Sequence, residues 1–526
     1  MFESAELGHR ISKARYKREL PALRTALLDT QYRVVKAARF PVIIVVGGVD
    51  GAGKGETVNL LHEWMDPRHL RTHAFGQPQD EELGRPPLWR FWRRLPPKGE
   101  LGIFFGSWYT GPIVARAMGE TKHGQLEESI MRIQRFERIL VDEGALILKV
   151  WFHLSHAAQR ARLEELEAHK RTAWRVTKND WENHRAYDAY REASAEVIRE
   201  TSTADAPWLV VEGTDARYRN LTVGNALLKA MERQLEETEA AAREKASEKA
   251  SKEAGKKGSA KGRKSAAKKA VSPPRTRSST APPIVRALDG RDVIDELDLT
   301  RKLEDAEYEE QLEKWQGRLN KLVRGKAFEK QSLVAVFEGS DAAGKGGTIR
   351  RVTAAIDARS YEVVPIAAPS EEERAHPYLW RFWRALPRLG RIALFDRSWY
   401  GRVLVERVEG LAPETDWMRA YEEIVDFEDQ MTRNGAVVVK LWLQVSKDEQ
   451  LRRFREREKV QFKRYKITDE DWRNRAKWDE YRWAACDMID RTSTDTAPWT
   501  LVESEDKKWA RVKVLRTICE RLEAAR

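Results

Sequence analysis

The segment Gly339-Ser-Asp-Ala-Ala-Gly344-Lys345-Gly346 is matched, 291 residues earlier, by Gly48-Val-Asp-Gly-Ala-Gly53-Lys54-Gly55. The same offset relates Leu379-Trp-Arg-Phe-Trp-Arg384 to Leu88-Trp-Arg-Phe-Trp-Arg93, Ser398-Trp-Tyr400 to Ser107-Trp-Tyr109, and Ala497-Pro-Trp499 to Ala206-Pro-Trp208. A gap-free offset over this distance means that a whole domain occurs twice. Each copy then has about 240 residues, enough to bury a core of its own. The copies part at one place: Phe395-Asp396-Arg397 faces Phe104-Phe105-Gly106. One carries a carboxylate and a guanidinium where the other has a phenyl ring and no side chain.

Strands alternate with helices in the second copy. The apolar run Ser332–Phe337 predicts a buried strand, followed by the glycine loop and a helix over Lys345–Ala355. Further strands are expected over Tyr361–Ile366, Arg391–Phe395, Ala436–Leu443 and Thr500–Val502, and helices over Leu379–Leu386, Asp416–Arg433 and Lys508–Leu522. This alternation implies a parallel sheet covered by helices on both faces, with ligands at the carboxyl ends of the strands. The fold class is therefore α/β: two tandem domains that each carry the glycine loop (a P-loop), each a parallel sheet flanked by helices with a helical lid. Ser446-Lys-Asp-Glu449 and Thr468-Asp-Glu-Asp471 are capping-box patterns that start two helices. The basic stretch between them, with Lys463, Arg464 and Lys466, reads as a lid over an anionic substrate or as a solvated helix laced with ion pairs.

The net charge is +12, but residues 243–277 alone hold a net +10. That segment is rich in Ala, Lys, Ser and Gly and cannot bury a core, so it reads as a disordered basic linker. The expected division is a domain over residues 1–236, a linker over 237–285 and a second domain over 286–526. Charge gathered in a tether is a soluble spacer or a loose anchor for a polyanion, and nucleic acid is not expected as a partner. The longest apolar run, Pro41–Val46, is far shorter than the roughly 20 residues that span a bilayer. With two cysteines, Cys486 and Cys519, and no signal-peptide pattern, the expectation is a reducing, cytoplasmic compartment without a disulfide framework.

The chemistry is carried by the loop. Gly339, Ala343, Gly344 and Gly346 turn backbone N–H groups toward phosphate oxygens, and Lys345 reaches the outer phosphate. Position 346 is Gly where a Ser or Thr ordinarily ligates the metal, and Asp341 lies inside the loop. A carboxylate there either holds a metal ion or takes a proton from the acceptor. Asp396 adds a second one, and two Asp beside bridging phosphates suit Mg²⁺. Arg397 and Arg402 are placed to stabilise a transferring phosphoryl group. Glu406, four residues after Arg402, either ligates the metal or pairs with Arg402. The Leu-Trp-Arg-Phe-Trp-Arg aromatics are expected in the core, with Arg381 and Arg384 structural or lining an anionic groove.

Gly339-Ser-Asp341-Ala-Ala-Gly344-Lys345-Gly346-Gly347, Phe395-Asp396-Arg397-Ser398-Trp399-Tyr400-Gly-Arg402, Val405-Glu406-Arg407-Val408 and Tyr465-Lys466-Ile-Thr-Asp-Glu-Asp471 together resemble the family-2 polyphosphate kinases in their two-domain form. The resemblance implies transfer of phosphate from inorganic polyphosphate to AMP, with Mg²⁺, giving ADP. It implies catalytic roles for Asp341, Lys345, Asp396, Arg397 and Arg402, metal ligation by Asp341, Asp396 and Glu406, and lid contacts from Lys463, Arg464 and Lys466. The first copy keeps Asp50, Lys54 and Asp180 but has Phe105, Gly106, Gly111, Ala115 and Thr172 opposite Asp396, Arg397, Arg402, Glu406 and Lys463. It is expected to cradle an anion without turnover and to act as an intramolecular pseudo-dimer partner; further oligomers and other nucleotide acceptors stay open. The competing readings are an ATP-dependent nucleoside-monophosphate kinase of the same fold and a non-enzymatic polyanion-binding protein.

Overall fold

The computed structural model describes residues 1–261, 290–460 and 467–525. The first sheet is built from β1 (Val42–Gly48), β2 (Leu70–Ala74), β3 (Leu101–Phe105), β4 (Leu146–His153) and β5 (Trp208–Glu212), in the order β2-β3-β1-β4-β5. The second uses β6 (Ser332–Gly339), β7 (Tyr361–Pro365), β8 (Ile392–Asp396), β9 (Ala436–Gln444) and β10 (Trp499–Glu503), in the order β10-β9-β6-β8-β7. All neighbours run parallel. The inner strands are continuous Val, Ile and Leu runs because helices cover both faces. Leu333, Val336, Phe337, Leu394, Leu441 and Leu443 are all fully buried. Outside β6 and β9, the helices Asp305–Val323 and Lys507–Ala524 bring Leu319, Val514, Leu515 and Ile518 to the same core.

The sequence placed the second-copy strands to within a residue or two. Strand order was beyond it, and the order positions the site. β6 pairs with β8 on one side and β9 on the other, so the chain diverges at its carboxyl end. That divergence is the switch point at which open α/β sheets bind ligands. Phe337 of β6 is level with Asp396 of β8, and Gly339 is level with Leu443 of β9. The glycine loop therefore leaves the sheet beside Asp396.

Each compact unit carries one sheet; the first also takes in Ser370–Tyr378 and the second Pro78–Trp89. One expectation fails locally. The helix that follows β5 runs unbroken from Ala216 to Lys261, through the first half of the stretch assigned to a disordered linker. Runs of Ala, Glu and Lys are strong helix formers, and the absence of an apolar face does not stop a helix that continues one already docked. The remainder of that stretch, residues 262–285, lies outside the described residues. No helix among the described residues is long and apolar enough to cross a membrane.

Both units contain the same buried polar cluster. In the second, Lys440 Nζ donates to Glu428 Oε2 at 2.8 Å and to Tyr400 Oη at 3.0 Å. Trp399 Nε1 and Tyr400 Oη both donate to Glu428 Oε1, at 3.0 and 2.7 Å. In the first, Lys149 Nζ donates to Glu137 Oε2 at 2.7 Å, and Trp108 Nε1 donates to Glu137 Oε1 at 3.0 Å. The repeated Ser-Trp-Tyr motif is thus fastened to a helix and a strand by a fully paired charge. The motifs Trp499 and Trp208 close the cluster by donating to Thr492 and Thr201 Oγ1, each at 2.9 Å.

Candidate active site

Gly339 ends β6 at φ 140°. A β-carbon there would stand 2.2 Å from the Leu443 carbonyl oxygen, so only glycine lets the loop turn against β9. Gly344 opens the helix Lys345–Thr353, whose amino end faces the loop. Lys345 Nζ folds back over the loop and donates to the carbonyls of Gly339 at 2.7 Å and Ser340 at 3.3 Å.

Asp341 is held from three sides. Gln450 Nε2, on the helix Lys447–Lys459, donates to its main-chain oxygen at 3.1 Å. Asn474 Nδ2, on the helix Asp469–Ala476, donates to its Oδ2 at 2.9 Å. Arg397 Nη2 approaches Oδ1 at 3.4 Å, and its Nη1 lies 3.9 Å from Glu470 Oε1. Both helices start where expected: Ser446 Oγ accepts from the Glu449 N–H, although the Ser446 N–H turns to Glu505 and leaves that capping box half made, while Thr468 and Asp471 complete theirs. The lid residues Lys463, Arg464 and Lys466 lie outside the described residues.

Arg397 has φ 65°. A left-handed conformation costs a non-glycine residue roughly 1–2 kcal/mol. The turn after β8 directs its guanidinium back over the loop. At the equivalent Gly106 the backbone has φ 71°, so the turn is kept while the side chain that needs it is gone.

Two cavities share Asp341 and Arg397. One is lined by Leu404, Val405, Trp442, Trp478 and Tyr481, with Gln444, Asn474 and Arg482 among them. This wall is apolar and aromatic with a few convergent polar groups. The other is an open groove of about 810 Å³. Its walls carry Lys345, Arg350, Arg397, Arg453, Arg457, Lys459, Lys507 and Arg511 against Asp341, Asp396, Glu456 and Asp471. Ala343, Gly344 and Gly346 form its floor.

The structure thus brings together Asp341, Lys345, Asp396 and Arg397. Arg402 and Glu406 stand apart: Arg402 Nε lies 2.9 Å from Glu406 Oε2 and its Nη1 3.6 Å from Asp416. Neither lines the two cavities. Arg381 and Arg384 are structural: Arg381 donates to the Ala367 carbonyl at 3.0 Å, and Arg384 lies 4.4 Å from the Trp380 ring centre. Trp380, Phe382 and Trp383 are buried, as expected.

The sequence reading passed over Glu338. It is buried just before the loop and accepts from Ser398 Oγ at 2.8 Å. Burial pushes its carboxyl above the ordinary glutamate range, against the pull of Lys345. Burial likewise pushes the Lys345 ammonium down, opposed by Asp341. The signal was in the repeat itself, since the counterpart of Glu338 is Gly47. Arg350, Lys507 and Arg511 were also passed over, because their chain positions say nothing of the groove they share.

The first unit repeats the Asp341 cradle but lacks the arginine that faces it, Gly106 standing opposite Arg397. Gln159 Nε2 donates to the Asp50 main-chain oxygen at 3.2 Å, and Asn183 Nδ2 to its Oδ2 at 2.8 Å. Phe105 lines that cavity where Asp396 lines the other.

A family model described as Polyphosphate kinase 2 matches residues 10–239 and again residues 302–526. A polyphosphate:AMP phosphotransferase of Pseudomonas aeruginosa is 53% identical over 525 residues, covering 100% of this chain and 99% of the relative. A protein of the same description from Acinetobacter johnsonii is 36% identical, covering 95% of each. A crystal structure described as a polyphosphate kinase 2 from Pseudomonas aeruginosa superposes with a TM-score of 0.84 at 50% identity, covering 100% of this chain and 99% of that one.

Proposed function

Because the chain belongs to the polyphosphate kinase 2 family, we propose that it moves the terminal phosphoryl group of inorganic polyphosphate onto AMP, giving ADP and a polyphosphate one unit shorter. The observation that carries this reading is the wall shared by two unlike cavities. A cationic groove suits a chain with a charge on every phosphate, and an aromatic pocket with convergent polar groups suits a purine nucleoside. Asp341 and Arg397 stand where the two meet.

In this arrangement an oxygen of the AMP phosphate attacks the terminal phosphorus, and the bond to the penultimate phosphate breaks. The loop N–H groups, Lys345 and Arg397 stabilise charge on the transferring group, which is where most of the catalysis of such a step resides. Asp341, fixed by Gln450 and Asn474, orients the acceptor end. Arg402, paired with Glu406 and Asp416, braces the turn from behind.

Phosphotransfer of this kind uses a divalent cation, and the donor set fits Mg²⁺. Asp341 and Asp396 line the same groove with hard oxygen ligands. No cluster of three or more His, Cys, Asp or Glu ligands occurs among the described residues. Mg²⁺ does not require one, since it takes one or two carboxylates together with phosphate oxygens and water. When bound, the ion neutralises bridging phosphate oxygens. Glu406, committed to Arg402, is a weaker candidate ligand than the two Asp. The first unit, with Phe105 and Gly106 in place of the acid and the guanidinium, serves as a non-catalytic pseudo-dimer partner.

The test is ADP formation from AMP, polyphosphate and Mg²⁺ without ATP. Asp396→Asn is expected to lower kcat by at least the roughly 10²–10³-fold lost with one charge-stabilising group. ATP serving as donor at full rate in the absence of polyphosphate would overturn the reading in favour of an ordinary monophosphate kinase.

A further inference from the structure

The two glycine loops are not equally open. A β-carbon added at Gly344 would meet nothing within 4 Å, whereas one at Gly53 would stand 2.1 Å from Arg219 Nη1. Arg219 occupies the position that is Ala510 in the second repeat. Its guanidinium is almost fully buried and donates to the carbonyls of Ala52 at 3.3 Å and Gly213 at 3.0 Å, and to Thr57 Oγ1 at 3.0 Å. Its remaining nitrogen reaches Glu56 Oε2 at 2.9 Å.

Glu56 stands where the second repeat has Gly347. It lies in the first turn of the helix Lys54–Trp64, where the amino-terminal backbone and the helix dipole favour negative charge. Arg162 and Arg175 close on its other oxygen, both at 3.3 Å. Three guanidinium groups thus converge on one carboxylate at the mouth of the loop. In the second repeat the counterpart of Arg162, Arg453, is spent on the carbonyls of Ala342, Ala343, Ser504 and Glu505. Position 347 has no side chain, and Arg511 Nη2 lies 3.7 Å from where one would begin.

We infer that the first glycine loop takes no phosphate because Glu56, at the edge of the cavity beside it, is a built-in anion that already engages Arg162, Arg175 and Arg219. The expectation that both loops cradle a phosphate is revised accordingly. The inference rests on the reading of the second loop as a polyphosphate site only for the comparison between them. A phosphate entering the first loop would have to displace a carboxylate tethered at far higher effective concentration, and would meet its repulsion if it failed.

Isothermal titration of the full chain with tripolyphosphate tests this. The wild type is expected to bind at one site and Glu56→Gly at two, with ADP formation unchanged. Glu56→Gln, which keeps the size but not the charge, guards against loss of folding and is expected to gain the same site more weakly. In a Lys345→Ala background, which disables the second loop, Glu56→Gly should raise the count from none to one. Two sites in the wild type, or no site gained by a folded Glu56 variant, overturns the inference. No site in the wild type with one gained in Glu56→Gly upholds it and refutes the polyphosphate reading of the second loop.

Discussion

Replacing Glu428 with Gln removes the carboxylate that pairs with the buried ammonium of Lys440. Lys440 is wholly inaccessible and Glu428 nearly so, at 0% and 2% side-chain exposure. After the change the ammonium keeps two neutral acceptors, Tyr400 Oη and the Thr492 carbonyl. Breaking a buried pair from one side costs about 3–5 kcal/mol, because the remaining charge stays desolvated. The Trp399 and Tyr400 donors still find the Gln oxygen, so the cost is that of the charge and not of the whole cluster. Burial already pushes the Lys440 amine down and Glu428 pulls it up. Without Glu428 the native state sheds the proton more readily than the unfolded chain, so stability rises with pH and the deficit shrinks from neutral pH toward pH 9. Native-state hydrogen exchange reads the cost unit by unit. Amides of β9 should lose about 3–5 kcal/mol of protection while those of β4 keep theirs, and Glu137→Gln should do the reverse. In thermal unfolding the loss corresponds to about 6–20 °C in the affected unit. Adding Lys440→Met to Glu428→Gln should recover most of it. A cost under about 1 kcal/mol, or no recovery in the double variant, would refute the argument that the paired charge fastens the Trp399–Tyr400 turn.

Lys54→Ala should leave ADP formation within about twofold of wild type, whereas Lys345→Ala should lose at least about 10²-fold; equal losses from folded variants would end the division of labour between the repeats. Trp478→Ala is expected to raise KM for AMP and leave KM for polyphosphate unchanged, which steady-state kinetics with each substrate varied will show. His73, His153 and His184, all in the first unit, have their pKa values pushed down by burial. Below the ordinary value near 6.5 the unfolded chain therefore binds protons that the native state refuses, and the first unit loses stability as pH falls through that value. His153→Gln should flatten this slope in thermal unfolding followed from pH 7.5 to 5.

What the sequence disclosed was local. Glycine spacing, a run of Val and Leu, and a Ser or Thr three residues before an acid each act within a few positions, and the loop, β6, β9 and both lid helices follow from them. Charges were harder. Nothing near Lys440 and Glu428 in the chain announces that β9 and the helix Glu414–Arg433 will enclose both. Glu338 drew no notice, since the Ser398 that anchors it is 60 residues away. Nothing near Glu56 in the chain sets it apart, because its partners lie 106 to 163 residues downstream. The helix over residues 237–261 was missed for the opposite reason. Its lack of apolar surface was read as a sign of disorder, although the same residues are good helix formers.

The turn after β8 bears on how the two halves of the chain can change over time. Arg397 occupies a backbone conformation that suits glycine, and the other half has glycine there. Substitution toward glycine is downhill for folding, and return toward arginine is uphill, since a β-carbon at Gly106 would stand 2.6 Å from the Phe75 carbonyl oxygen. Phe105 still stands where the working half has Asp396. A first step from either position would therefore weaken the fold without restoring chemistry, so the retired half is held in retirement by a ratchet in its own backbone.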